Sequence, residues 1–374
     1  MSVVRYAPAA LLLALAACGS DPETTTPLAP YAAASRVDAA GAVVVASNAP
    51  DGNALLVFPR GRDGRLGAPS AVPTGGRGTG GGLGNQGGLI QAGPFVLAVN
   101  AGSNDVSVFR RRGNSLELTD RQPSGGLQPI SITAHGALVY VLNAGGAGNI
   151  AGFLLRENGR LLPLAHSSRP LSGSGVGPAQ IGFSPDGTRL VVTEKNANLV
   201  TTYALRGFLV GEPVSHPSAG QTPFGFAFDR RGDLLVSEAS GGAPDGSALS
   251  SYRLGLRNDL RVIAPSVGTT ETAACWVVVT PDGHFAYVTN NGSASVSGYR
   301  IGQGGRLTLL NADGVTGRTG AGPIDLAFAD AGMLYTLDSD AHGISGFERG
   351  ADGGLTTVEV TAPLPVGANG MVAW

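Results

Sequence analysis

One unit recurs seven times along the chain and leaves few folds open. It reads small-Pro-x-x-apolar, a turn, an apolar strand ending on a polar residue, a Gly/Asn loop, then another alternating strand. "QPISITAHGALVYVLNAGGAGNIAGFLL", "GPAQIGFSPDGTRLVVTEKNANLVTTYAL" and "TPFGFAFDRRGDLLVSEASGGAPDGSALSSYRL" are three successive copies. The polar residue that ends the second strand falls at Ser47, Asn100, Asn143, Glu194, Glu238, Asn290 and Asp338, spaced 43 to 53 residues apart. A period of that size with four short strands per unit predicts an all-β chain, a seven-bladed β-propeller of four-stranded blades.

The first copy, "AVVVASNAPDGNALLVF", has no inner strand before it, while "GANGMVAW" at 367–374 matches the inner-strand element "GPAQIGFS". The C-terminal strand is therefore expected to complete the first blade, which removes the open edge that a ring of sheets would otherwise expose. The propeller spans 39–374. Glycine, 59 of 374 residues, is spread through the turns, and no segment keeps a 3.6-residue apolar period long enough for a helix.

Residues 1–17 carry Arg5 and then an apolar run too short to span a bilayer, the layout of a secretory signal. Leu15-Ala16-Ala17-Cys18 resembles the bacterial lipobox, so Cys18 is the expected lipidated residue and 18–38 a flexible, Pro-rich tether. That places the protein in a bacterial cell envelope, anchored to a membrane on the periplasmic or outer side. Only Cys275 then remains, so stability rests on packing and no intramolecular disulfide forms. The net charge of −2 and the lack of long Lys/Arg runs give no nucleic-acid footprint, and "FRRRG" at 109–113 reads as a hairpin turn facing water. A monomer is expected.

In such a blade the inner strand starts and the second strand ends on one face, near the channel. Gln180, Trp276 and Asp325 from inner-strand starts, and Asn143, Glu194, Glu238, Asn290 and Asp338 from second-strand ends, are therefore candidates for a ligand-binding polar funnel. His342, in the loop after Asp338, is the histidine on that face and with Glu194 the weak catalytic candidate. No cofactor is required, although Glu194, Glu238 and Asp338 with nearby amide oxygens are the hard ligands Ca²⁺ takes. The Gly-rich "TGGRGTGGGLGNQGG", 74–88, lacks a Lys-Ser/Thr pair and reads as a long flexible connection on the funnel face, either a lid or a bulge.

"FSPDG" and "TPDGHFAYVTNNGSASVSGY" resemble the lactonase-type seven-bladed propellers, which include 6-phosphogluconolactonase and the YVTN-repeat proteins, over residues 40–374. The resemblance implies an Arg-His pair after the proline opening an inner strand, and a glutamate after the next Asn. Here Ala179 and Gln180 follow Pro178, Thr193 stands for the Asn, Glu194 is kept, and Asn291 replaces an arginine expected in a later blade. Without those cations, the expected function is binding of a small molecule or protein at the funnel. The alternative is a lactone hydrolase, metal-assisted at the channel.

Overall fold

The computed structural model describes residues 39–255, 258–329, 332–358, 360 and 362–374; the signal stretch, Cys18 and the tether lie outside the described residues. Seven antiparallel sheets stand in a ring. The inner strands are Asn369–Ala373 in blade 1, then Leu89–Ala92, Pro129–His135, Pro178–Phe183, Pro223–Phe228, Ala274–Val279 and Pro323–Ala329. Blade 1 takes its second strand, Ala39–Ala46, from the start of the chain and its inner strand from the end, as the repeat predicts. Blades 3 and 6 have a broken outer strand, each made of two short pieces pairing with the same third strand.

Local chemistry explains the turns. In "SPDG" Asp186 Oδ1 accepts from Ser184 Oγ at 2.6 Å and from the Thr188 N–H at 3.0 Å, closing a turn in which Gly187 takes φ +68°. "TPDG" in blade 6 repeats this with Thr280, Asp282 and Gly283. These turns, with the hairpins between third and outer strands, form one face of the disc, the turn face. The loops between second and third strands and the connections between blades form the other, the funnel face.

Valines, leucines and tyrosines on both faces of each sheet are buried against the neighbouring blades. A sheet packed on both sides leaves only the free edge of its inner strand toward the axis. In six blades the inner strand slips register close to its start, at Pro129/Ser131, Pro178/Gln180, Pro223/Phe226, Ala274/Val277 and Pro323/Asp325, and between Val45 and Ala46 opposite the C-terminal strand. Such bulges re-aim the side chains beside them, here at the mouth of the channel.

Candidate functional site

The strand-end polar residues bind the incoming connections and the strands of their own blades. Glu194 is fully buried, and both its oxygens accept from Ser172, in the connection leading into blade 4. Glu238 accepts from the Gly220 N–H at 2.8 Å, Ser250 Oγ at 2.5 Å and Ser266 Oγ at 2.6 Å. Asp338 accepts from the Gly320 N–H at 3.1 Å, Ser345 Oγ at 2.5 Å and Thr336 Oγ1 at 2.8 Å. Asn143 donates to Ser124 O at 3.3 Å, and Asn290 to Ser295 Oγ and Ser297 Oγ. The incoming connection passes so close that a Cβ on Gly220 would stand 2.2 Å from the Glu238 carboxylate, so that position has no room for a side chain.

This corrects the expectation that Asn143, Glu194, Glu238, Asn290 and Asp338 line an open funnel. The carboxylates of Glu194, Glu238 and Asp338 accept the N–H and O–H groups of the crossing chain and neighbouring strands, while Asn143 and Asn290 donate through their amides and keep a buried Oδ1 without a partner among the described residues. Nor do the carboxylates converge. Among the described residues no three His, Cys, Asp or Glu side chains gather in a set able to hold a metal ion. His342 is exposed, while Asp338 is buried among its own donors.

The inner-strand starts form a second tier of ties. Gln180 clips blade 4 to blade 5, its Oε1 accepting the Phe226 N–H at 2.6 Å and its Nε2 donating to Phe226 O at 3.0 Å. Thr193 Oγ1 donates to Phe224 O, and Ser237 Oγ to Cys275 O. Trp276 is 1% exposed and packs against Phe224 with the rings tilted and their centroids 5.0 Å apart, so it belongs to the core and not to an open rim.

The Gly-rich connection is ordered and seated in the channel mouth. The Gln86 N–H donates to Ala179 O at 3.1 Å, and Ser131 Oγ to Gln86 O at 2.6 Å. Its side chain pairs with the free edge of blade 6: Nε2 donates to Val277 O at 2.8 Å and Oε1 accepts the Val277 N–H at 3.0 Å. Asn85 donates to Ile130 O, and the Gly87 carbonyl takes the Ile132 N–H at 2.8 Å. Lys195, the chain's only lysine, donates to Gly84 O and lies 4.6 Å above the Phe224 ring. The connection is thus a plug, neither a lid over open space nor a loose bulge. Gln86→Ala should lower stability by about 2 kcal/mol, because both backbone groups of buried Val277 lose their partner. Thermal denaturation, with proteolysis of the 77–88 segment as a second readout, checks this.

Sequence reasoning missed Gln86 and Lys195. Their only signals were a polar Asn-Gln pair inside a glycine run and a single lysine directly after Glu194.

Below the plug a cavity of about 390 Å³ opens toward the turn face, lined by Gln86, Gln180, Asp325, Phe226, Phe228 and Met371 among others. Asp325 is the one predicted funnel carboxylate that reaches the channel. Oδ1 accepts the Leu326 N–H at 2.9 Å and Oδ2 the Met371 N–H at 3.0 Å, across the seam where blade 7 meets blade 1. Burial lifts its carboxyl to about 8, more than the two N–H bonds lower it, and no cation lines the cavity.

Residues 250–374 match the family model "Lactonase, 7-bladed beta-propeller". The 6-phosphogluconolactonase of Bacillus subtilis is 25% identical over 289 residues, covering 71% of this chain and 80% of that one. The periplasmic gluconolactonase of Pseudomonas aeruginosa superposes with a TM-score of 0.67 at 18% identity, covering 88% of this chain and 98% of the other. A Lactobacillus plantarum protein superposes with 0.69 at 15% identity, over 89% and 99% of the two chains.

Proposed function

We propose that this chain, a member of the lactonase-type seven-bladed β-propeller family, is a ligand- or partner-binding propeller of the bacterial cell envelope, anchored through lipid on Cys18 and without phosphogluconolactonase chemistry. The observation that carries the reading is the plugged channel mouth. Where the resemblance puts a basic pair, Ala179 is fully buried with its carbonyl on the plug, and Gln180 is bound to Phe226. A general base must come within hydrogen-bond reach of its proton, and a developing oxyanion needs donors aimed at it. Glu194 is held by Ser172, and the neighbouring Lys195 by Gly84 and Phe224. Neither meets those requirements.

The relatives named as lactonases favour a second reading, a lactone hydrolase at the same mouth, and one assay separates the two. Purified protein incubated with 6-phosphogluconolactone should give no hydrolysis above the spontaneous rate, with or without Mg²⁺ or Ca²⁺. Hydrolysis that disappears in Glu194→Gln would overturn the binding reading. If it also required Ca²⁺, the metal-assisted form of the hydrolase reading would hold. The word "periplasmic" in the Pseudomonas relative's name is consistent with the envelope placement.

A further inference from the structure

Every blade carries an arginine at the turn-face end of its third strand. Blades 1 to 3 have Arg60, Arg110 and Arg156 there, and blades 4 to 7 have Arg206, Arg253, Arg300 and Arg349. The chain as a whole has 25 basic and 27 acidic residues, so this ring reflects placement and not an excess of charge. Among the described residues, the funnel-face half holds only Arg77, Arg121, Arg169, Lys195 and Arg318 as cations; every other described arginine sits at the turn-face strand ends and hairpins.

Some of that charge is balanced on the spot. Arg253 pairs with Asp233 at 2.9 Å, Arg349 with Asp282 at 3.3 Å, and Arg112 with Glu117 at 3.0 Å, while Arg60 is buried against the C-terminal carbonyl of Trp374. Arg62, Arg156, Arg160, Arg206, Arg300 and Arg306 are exposed.

Two further features lie on the same face. The blade 4 hairpin Arg206-Gly207-Phe208-Leu209 presents Phe208 and Leu209, 62% and 75% exposed, the most exposed large apolar side chains among the described residues. The chain also enters the propeller there: Ala39 pairs with Gly61 beside the blade 1 hairpin, and Cys18 stands 21 residues before it.

We propose that the turn face docks on an anionic phospholipid surface. Phe208 and Leu209 enter the headgroup layer, and the exposed arginines of the neighbouring blades take lipid phosphates, to which a guanidinium binds in bidentate fashion. An apolar tip flanked by cations is the surface form of an interfacial anchor, and juxtamembrane basic side chains add to its affinity for anionic leaflets. This rests for its setting on the anchored reading above. It also gives the plugged disc an orientation, with the turn face to the lipid and the funnel face away.

The test is co-sedimentation of the full chain, as wild type and as Cys18→Ala, with phosphatidylglycerol and with phosphatidylcholine vesicles. Cys18→Ala should favour phosphatidylglycerol by about tenfold or more and lose that preference at about 0.5 M salt, whereas acylated wild type should bind both vesicles. In the Cys18→Ala background, Arg156→Gln/Arg160→Gln/Arg206→Gln should bind phosphatidylglycerol at least about tenfold more weakly with an unchanged melting temperature. Phe208→Ser/Leu209→Ser should weaken binding to both vesicles. Equal partition of Cys18→Ala onto the two lipids, or undiminished binding by the arginine variant, would overturn the proposal. So would capture by heparin or duplex DNA without vesicle binding, which would make the partner a soluble polyanion. If only the anchor reading fails, wild type carries no acyl chain and sediments like Cys18→Ala, while the lipid preference stands.

Discussion

Removing residues 369–374 should unfold the propeller and not merely trim it. This segment is the inner strand of blade 1, with Val43 opposite Ala373, Val44 opposite Val372 and Val45 opposite Met371. The carbonyl of Trp374 takes the Ala42 N–H at 3.0 Å and is also bound by Arg60, and Asp325 holds the Met371 N–H from blade 7. Met371 and Val372 are buried. Burial of such side chains contributes about 1.5–3 kcal/mol each, and each backbone hydrogen bond about 1 kcal/mol. The loss is therefore on the order of 8 kcal/mol, comparable to the whole stability of a typical domain. The second strand of blade 1 would also become an open apolar edge, a template for aggregation. Size-exclusion chromatography and thermal denaturation read the outcome, and a truncated chain that stays monomeric with an unchanged melting temperature would show that the ring closes without this strand.

The parts of the fold that depend on repetition could be read from the sequence. The spacing of Asn100, Asn143, Glu194 and their equivalents counted the blades, and the match between "GANGMVAW" and "GPAQIGFS" located the closing strand. What the repeat could not tell was the direction of the side chains at the channel mouth. Period-two alternation fails at the register slip between Ala274 and Val277, so Trp276 was placed on the right strand but given the wrong surroundings. Glu194 sat at the predicted strand end. Its partner, Ser172, lies in an irregular connection that no pattern positions. The plug was hidden for a similar reason: a glycine run has little local preference, and only tertiary contacts with Ala179, Ile132 and Val277 fix its path. The arginine ring recurs blade after blade, yet only "FRRRG" was dense enough to notice before the strand ends were placed on one face.

Stability should fall as pH rises from about 5 to about 8.5, the reverse of the trend set by paired surface carboxylates. Asp325 and Asp338 are the reason. Burial raises the Asp325 carboxyl to about 8 and the Asp338 carboxyl to about 7, in each case outweighing the hydrogen bonds that lower it. An unfolded aspartate titrates near about 4. Between these values the folded chain holds protons that the unfolded chain has released, so the unfolding free energy decreases with each step up in pH. The decline begins above the unfolded value, and it levels off once pH passes the folded value of Asp325. Its size is on the order of a few kcal/mol, since a tenfold difference in proton affinity between the folded and unfolded chain is worth about 1.4 kcal/mol. Asp325→Asn should remove somewhat more than half of the slope, the rest belonging to Asp338. The amide oxygen can keep one backbone N–H, of Leu326 or of Met371, while the other loses its acceptor, so at pH 5 the variant should be slightly less stable than wild type. At pH 8.5 it should be more stable, because no charge is forced into a cavity without a cation. Denaturant melts of both proteins across this range give the two curves. Parallel curves would show that Asp325 ionises freely in the folded state, so that the channel is better solvated than its lining implies.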